Sequence, residues 1–99
     1  MGPTTMSADQ MRTRTLQFVS NPELWQYWPF LPLVRRKGNE QELGVLYDAL
    51  HAKNLPGYSC TVFAANLFQL PSTVEEFLAL PKEVFDTWEE LLAAGWTVD

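Results

Sequence analysis

The chain has 99 residues, of which 46% are hydrophobic and 13% aromatic, and its formal net charge at pH 7 is −5. This length suits one domain with a modest core, and the apolar content is too high for an intrinsically disordered chain. No apolar run approaches the ~20 residues of a membrane-spanning helix, residues 1–6 lack the features of a signal peptide, and a single cysteine excludes an internal disulfide. We therefore predict a cytoplasmic protein with a flexible leader at residues 1–6 and one domain over residues 7–99.

The charge is unevenly distributed along the chain. Residues 72–99 carry seven acidic side chains and one lysine, whereas residues 1–71 carry six basic and five acidic side chains. An acidic protein repels the phosphate backbone of DNA and RNA. We therefore predict that nucleic acid is not a partner.

The N-terminal part carries signals for a helix and then a helical turn. Ser7 and Gln10 have the spacing of a capping box, in which each side chain bonds to the backbone N–H of the other residue. The spacing of apolar residues then predicts a helix of about 13 residues. Asn21 followed by Pro22 is the start signal of a second, short helical segment, which must end before Pro29.

The middle of the chain alternates in the way that is typical of strands. Residues 30–36 and 43–50 flank a polar stretch, which predicts a β-hairpin with a loop of about five or six residues. Pro32 lacks an N–H donor, so the first strand should lie at a sheet edge or start after the proline. Residues 59–70 predict a third strand, central because it is apolar on both sides. Short connections between three strands favour an antiparallel meander.

The last third of the chain has helical patterning. Residues 72–75 form a second capping box, and Pro81 ends the helix that follows. Residues 84–92 then place apolar side chains at the spacing of a second helix, which Gly95 can close. Residues 96–98 can add a short strand. We predict an α+β fold with an N-terminal helix, a three-stranded antiparallel β-meander and two C-terminal helices packed on one sheet face.

The segment from residue 25 to residue 36 is the richest in aromatic, proline and arginine residues and is the first candidate site. Large rings in so small a domain usually belong to the core, where they bury the most surface. The alternative is an exposed surface that holds a peptide or supports self-association. The candidate binding residues are Trp25, Tyr27, Trp28, Phe30, Arg35 and Arg36.

A second candidate is a small-ligand or anion-binding pocket beside the sheet. Its residues would be Arg35, Arg36, Tyr47, Asp48 and His51. Arginine forks can bind two oxygens of a carboxylate or phosphate, and a histidine close to a carboxylate can support acid–base chemistry. The ordinary role of the two arginines is a solvated hairpin end, paired with Glu40 or Glu42.

The sequence contains no convincing catalytic or metal-binding set. Cys60 alternates with apolar residues, which indicates a buried and inert thiol. His51 is the only histidine, so a metal site or a cysteine–histidine pair would rest on one residue of each kind. We therefore expect no enzyme, no cofactor and no metal.

These observations predict a small, non-catalytic cytoplasmic protein that binds another protein or itself, without a nucleic-acid or membrane partner. The pocket described above is the first alternative. A second alternative is that the acidic side of the last helix docks to a basic partner. Its residues are Glu83, Asp86, Glu89 and Glu90.

Overall fold

A computed structural model describes residues 7–99 of the chain, so the predicted leader at residues 1–6 lies outside the described residues. The N-terminal helix is α1 (Ala8–Ser20). Both hydrogen bonds of its capping box are present, from the Ser7 N–H at 2.9 Å and from the Gln10 N–H at 3.2 Å. A short 3-10 helix, Pro22–Leu24, follows. Both helical predictions for this part of the chain are confirmed.

The next two elements form the predicted hairpin. Strands β1 (Phe30–Lys37) and β2 (Glu40–Tyr47) are antiparallel and in register along their whole length. The turn is shorter than predicted because it consists of Gly38 and Asn39 alone. Gly38 has a φ angle of +64°, which glycine adopts without strain and which lets the chain reverse in so short a turn.

The remaining elements are short. In chain order they are α2 (Ala49–Lys53), β3 (Thr61–Phe63), the 3-10 helix Leu67–Gln69, α3 (Val74–Leu78), β4 (Lys82–Val84), α4 (Trp88–Ala93) and β5 (Thr97–Val98). The positive φ of Gly95, +96°, closes α4 as expected and leads into the short final strand.

The strands form one antiparallel sheet in the order β4-β3-β2-β1-β5. The α+β class and the antiparallel sheet are confirmed, but a three-stranded meander with two C-terminal helices is wrong, because residues 7–99 contain five strands and four helices. Strand β3 is short because Asn66 accepts a hydrogen bond from the Phe68 N–H at 3.0 Å and starts a 3-10 turn. Strand β4 lies where the sequence predicts the start of the last helix. Helix α4 starts later because the Thr87 side chain caps it, accepting a hydrogen bond from the Glu90 N–H at 3.2 Å.

Strand β1 lies inside the sheet, so the prediction that Pro32 marks an edge strand or precedes its start is wrong. Strand β5 pairs with β1 at Leu33 and Val34. Pro32 cannot donate, but its carbonyl accepts a hydrogen bond from the Asp99 N–H at 3.1 Å. The proline therefore still contributes an acceptor to the ladder.

Core clusters cover both faces of the sheet. The first face packs against α1 and α4 through Val19, Trp25, Leu31, Leu33, Leu46, Val62, Leu91, Trp96 and Val98. The second face packs against α2 and α3 through Val45, Tyr47, Ala49, Phe63 and Phe77. Each large apolar side chain contributes about 1.5–3 kcal/mol by burial. Helices α3 and α4 thus lie on opposite faces rather than on one, since strand residues alternate between faces and both faces here are apolar.

Candidate functional site

The aromatic segment of the sequence is divided between core and surface. Trp25 is 7% exposed, and its indole N–H donates to the Phe18 carbonyl of α1 at 2.6 Å. Phe30 is half-buried and stacks on Tyr47, with ring centroids 5.2 Å apart. Tyr27 and Trp28, in contrast, are 44% and 47% exposed. Of the four candidate rings, two therefore belong to the packed interior and two face solvent.

Trp28 is held in place by Asp48, which directly follows β2. The indole N–H donates to Asp48 Oδ2 at 2.8 Å, and His51 Nδ1 lies 3.0 Å from both carboxylate oxygens. The Asp48 side chain is 9% exposed, whereas that of His51 is 65% exposed. Because an ionised carboxylate can only accept, His51 Nδ1 carries the hydrogen; Nε2 is then an acceptor in the neutral ring and a donor in the imidazolium.

Backbone hydrogen bonds at the open end of the hairpin position this cluster. The Asp48 N–H donates to the Pro29 carbonyl at 2.8 Å. Because Trp28 directly precedes Pro29, this bond places the Asp48 carboxylate beside Trp28. The Asp48 carbonyl accepts from the Ala52 N–H at 3.0 Å and so opens α2. The spacing of three residues then brings His51 to the same side of the helix as Asp48.

An open cleft of about 400 Å³ lies beside this cluster, lined by Trp28, Asp48, His51, Pro22 and Glu23. Its anionic groups are the carboxylates of Asp48 and Glu23. No lysine or arginine of the described residues lines it. The cleft thus combines a fixed indole ring with negative charge, and we call it the Trp28 cleft.

A deeper groove of about 540 Å³ shares Asp48 and His51 with the Trp28 cleft and extends to Cys60. Burial, and then the carboxylates of Glu89 and Glu90, raise the pKa of the Cys60 thiol. A thiol with a raised pKa stays protonated and is a poor nucleophile. The groove therefore lacks an activated cysteine, although it contains the chain's single thiol.

The other exposed ring beside Tyr27 is Phe68, which is 79% exposed in the 3-10 helix Leu67–Gln69. The two rings meet edge to face with centroids 6.1 Å apart and border a shallow groove of about 200 Å³. Phe68 is missing from the sequence-based candidates because its segment alternates like a strand. The Asn66 turn signal could have identified it, since asparagine side chains often cap such turns. We call the pair of Tyr27 and Phe68, together with Trp28, which follows Tyr27 in the chain, the aromatic surface.

Arg35 makes internal contacts rather than facing solvent. Its guanidinium donates to both carboxylate oxygens of Glu83 on β4, at 2.7 and 3.0 Å, and to Glu42 on β2 at 2.8 Å. It also lies 4.4 Å from the ring centroid of Trp96, whose indole N–H donates to Glu83 at 3.2 Å. The hydrogen bond to Glu83 raises the pKa of Arg35, and the same bond lowers the pKa of Glu83. These contacts give Arg35 a structural role; Glu83 and Trp96 are partners that sequence spacing does not reveal.

The structure brings Tyr47, Asp48 and His51 of the predicted alternative pocket to the deeper groove, but the two arginines do not line it. Arg35 and Arg36 lie near the hairpin turn, whereas Tyr47 ends β2 at the far end of the hairpin. At about 3.3 Å per strand residue, this separates them by roughly 15 Å. Tyr47 is buried among the second core cluster, and burial raises the pKa of its hydroxyl. Of this set, Asp48 and His51 are the two whose side chains are hydrogen-bonded to each other.

Neither a metal-binding cluster nor a membrane-spanning helix occurs in residues 7–99. No group of three or more His, Cys, Asp or Glu side chains there is placed to hold a metal ion. None of the helices in this part of the chain is long and apolar enough to cross a membrane. Comparison of the chain with protein-family models, with curated proteins and with solved structures finds no match.

Proposed function

We propose that this protein is a non-catalytic binding protein that recognises a partner protein through the aromatic surface. The proposal rests on the exposed side chains of Tyr27, Trp28 and Phe68. The interior of this fold has room for large rings, because it buries Trp25 and Trp96. Tyrosine and tryptophan are enriched at protein interfaces, where they act as anchors. Clustered exposed rings are therefore best explained as a contact surface.

The rings of the aromatic surface are held before any partner arrives. Trp28 is fastened to Asp48 by its indole N–H, and the turn that carries Phe68 is fixed by the side chain of Asn66. Tyr27 lies in a turn closed by the hydrogen bond from the Phe30 N–H to its carbonyl, at 2.9 Å. Pre-ordered side chains lose less conformational entropy on binding, which favours affinity.

A partner protein fits this surface better than a second copy of the chain. The net charge is −5, and the carboxylates of Glu23 and Asp48 lie beside Trp28. Two copies with the same charge repel each other, whereas a basic partner would be attracted. The small-ligand and anion-binding alternative receives no comparable support, because Arg35 is already bound to two carboxylates.

Affinity capture from a lysate of the native host tests the proposal. The baits are the wild-type protein, Tyr27→Ser, Phe68→Ser and the control Val84→Ser, which changes a residue 68% exposed on β4, three strands from β1. We expect one partner to be retained by the wild type and the control and to fall about tenfold with either aromatic variant, as for an interface hot spot. Equal capture by all four baits would contradict the proposal.

Sedimentation equilibrium of the purified protein completes the test. We expect the mass of a single chain at micromolar concentration. A dimer that dissociates in the Phe68→Ser variant would assign the aromatic surface to self-association instead. Folding of each variant is checked by its far-ultraviolet circular dichroism, so that a lost partner is not confused with a lost fold.

A further inference from the structure

We infer that the Trp28 cleft binds the cationic side chain of an arginine or lysine carried by the partner protein. This inference rests on the proposed function and specifies what the partner must present. The cleft has the features that a guanidinium or ammonium group needs: negative charge, an aromatic face and an outward acceptor.

The negative charge comes from Asp48 and Glu23. The Asp48 side chain is almost fully buried, so water and salt screen its charge less than that of an exposed carboxylate. Its hydrogen bonds from Trp28 and from His51 orient the carboxylate. Among residues 7–99, no lysine or arginine forms an ion pair with Asp48 or Glu23.

The aromatic face comes from Trp28. Its N–H, which lies in the plane of the indole, is engaged by Asp48, so the ring orientation is fixed while nearly half of the side chain remains in solvent. Tryptophan attracts cations more strongly than the other aromatic side chains, and a cation over its face strengthens binding by about two- to fivefold at an exposed site. An anion would gain nothing from this ring face.

The outward acceptor comes from His51. Nδ1 is engaged by Asp48, and Nε2 makes no hydrogen bond within residues 7–99, so in the neutral ring Nε2 can accept one from a ligand. A guanidinium carries five N–H donors and an ammonium three, so either can bond to Nε2 while its charge faces Asp48. A carboxylate or phosphate ligand would be repelled by the like charges of Asp48 and Glu23 and by the lone pair of Nε2 in the neutral ring. The cleft therefore does not suit an anion.

The protein itself contains an arginine that is bound by an indole ring and two carboxylates. Arg35 lies over the indole of Trp96 and is bound by the carboxylates of Glu83 and Glu42. The Trp28 cleft offers the same three groups, an indole and two carboxylates, around an open volume instead of a side chain. The internal site shows that this fold can pair an arginine with an indole and two acids.

The test is a titration with Nα-acetyl-arginine methylamide, followed by the NMR signals of the Trp28 indole N–H and the His51 ring. We expect saturable changes at these two residues with a dissociation constant of about millimolar, and at least about tenfold weaker binding of the neutral citrulline counterpart. Glu23→Gln and Asp48→Asn should each weaken binding by about threefold or more. Glu89→Gln, on the outer side of α4, is the matched control and should leave binding unchanged.

Glu23→Gln keeps the test independent of folding, because the Glu23 side chain makes no hydrogen bond or ion pair within residues 7–99. Equal binding of the arginine and citrulline compounds, or changes centred on α4, would overturn the inference. Putrescine, a free diamine, is the third probe; binding about tenfold tighter than the arginine compound would assign the cleft to small amines rather than to a partner's side chain. Loss of capture by Phe68→Ser without any arginine binding would leave the proposed function intact and remove this inference alone.

Discussion

Arg35 and Glu83 form a bidentate ion pair across the sheet, although strands β2 and β3 lie between their own strands. Gly44 on β2 makes this possible, since the Trp96 ring packs directly over its missing side chain and supports the guanidinium. The pair therefore connects the hairpin to the edge strand β4. Its removal should affect the whole sheet.

The first prediction concerns Arg35→Ala, which should lower the free energy of unfolding by about 2 kcal/mol. The change leaves Glu83 and Glu42 without their shared cation and uncovers Trp96. The loss stays below that of a fully buried pair because the Glu83 side chain is 42% exposed and water screens part of the interaction. Urea unfolding followed by circular dichroism measures the difference.

Two variants control this measurement. Arg35→Lys should recover less than half of the loss, because an ammonium cannot make both parallel bonds to Glu83. Arg36→Ala should change stability by less than about 0.5 kcal/mol, since Arg36 is exposed and forms no ion pair within residues 7–99. Equal losses in Arg35→Ala and Arg36→Ala would contradict the structural role of the cation.

The second prediction concerns the pH dependence that the same pair imposes. The hydrogen bond from Arg35, and then that from Trp96, hold the pKa of Glu83 below its ordinary value of 4.5. A carboxyl whose pKa is lower in the folded state stabilises the fold fully above its unfolded value. This contribution is therefore complete above about pH 4.5 and is lost as the pH falls through the lower folded pKa.

Urea unfolding of the wild type and of Glu83→Gln at a series of pH values measures this contribution. The stability gap between the two proteins should be largest near neutral pH and should close in acid. In an Arg35→Ala background, the same comparison should show little pH dependence, because the group that lowers the pKa is gone. A gap that widens as the pH falls would have the wrong sign.

The third prediction concerns Gly44. A Cβ atom at this position would lie 2.5 Å from Val62 Cγ1 and 3.0 Å from two atoms of the Trp96 ring. Gly44→Ala should therefore destabilise the protein by about 1–3 kcal/mol, as overpacking of a close-packed core does. Gly38→Asn is the control, since nothing lies within 4 Å of that position and asparagine tolerates positive φ. Unchanged stability of Gly44→Ala would contradict the prediction, because it would show that Val62 and Trp96 move aside for the added methyl group.

Local signals in the sequence predict the parts of this fold that local contacts decide. The capping box of α1, the hairpin and the glycine that closes α4 all depend on residues a few positions apart. The pattern of residues 84–92 fails as a single helix because Val84 pairs with Thr61 of β3 and α4 begins only at Trp88. That pairing is a tertiary contact, and side-chain periodicity carries no information about it.

The same distinction explains what the sequence reveals of the site. The residues of the aromatic segment can be picked out by composition, but which of its rings is buried depends on where α1 packs. The indole N–H of Trp25 donates to the Phe18 carbonyl of α1, and this hydrogen bond holds the ring toward the core. Asp48 and Trp28 are 20 positions apart, and their hydrogen bond follows from the hairpin register. A sequence motif cannot record such a pair, although it can record the spacing of Asp48 and His51.

The fourth prediction concerns Asp48→Ala, which should release Trp28. The indole N–H loses its acceptor, and we expect faster exchange of that proton with water and a loss of about 1–2 kcal/mol in unfolding free energy. Heteronuclear NMR of the indole N–H signals, together with urea unfolding, measures both effects. Asp48→Asn retains a weaker acceptor and should fall between the wild type and Asp48→Ala.

His51→Ala separates the two contacts of Asp48. It removes a side chain that is 65% exposed, so stability should change by less than about 0.5 kcal/mol and the Trp28 signal should stay protected. An unchanged Trp28 signal in Asp48→Ala would show that packing alone orients the ring. In that case the ring of Trp28 would still be exposed, but the carboxylate would no longer explain its orientation, and the geometry of the Trp28 cleft would need another source.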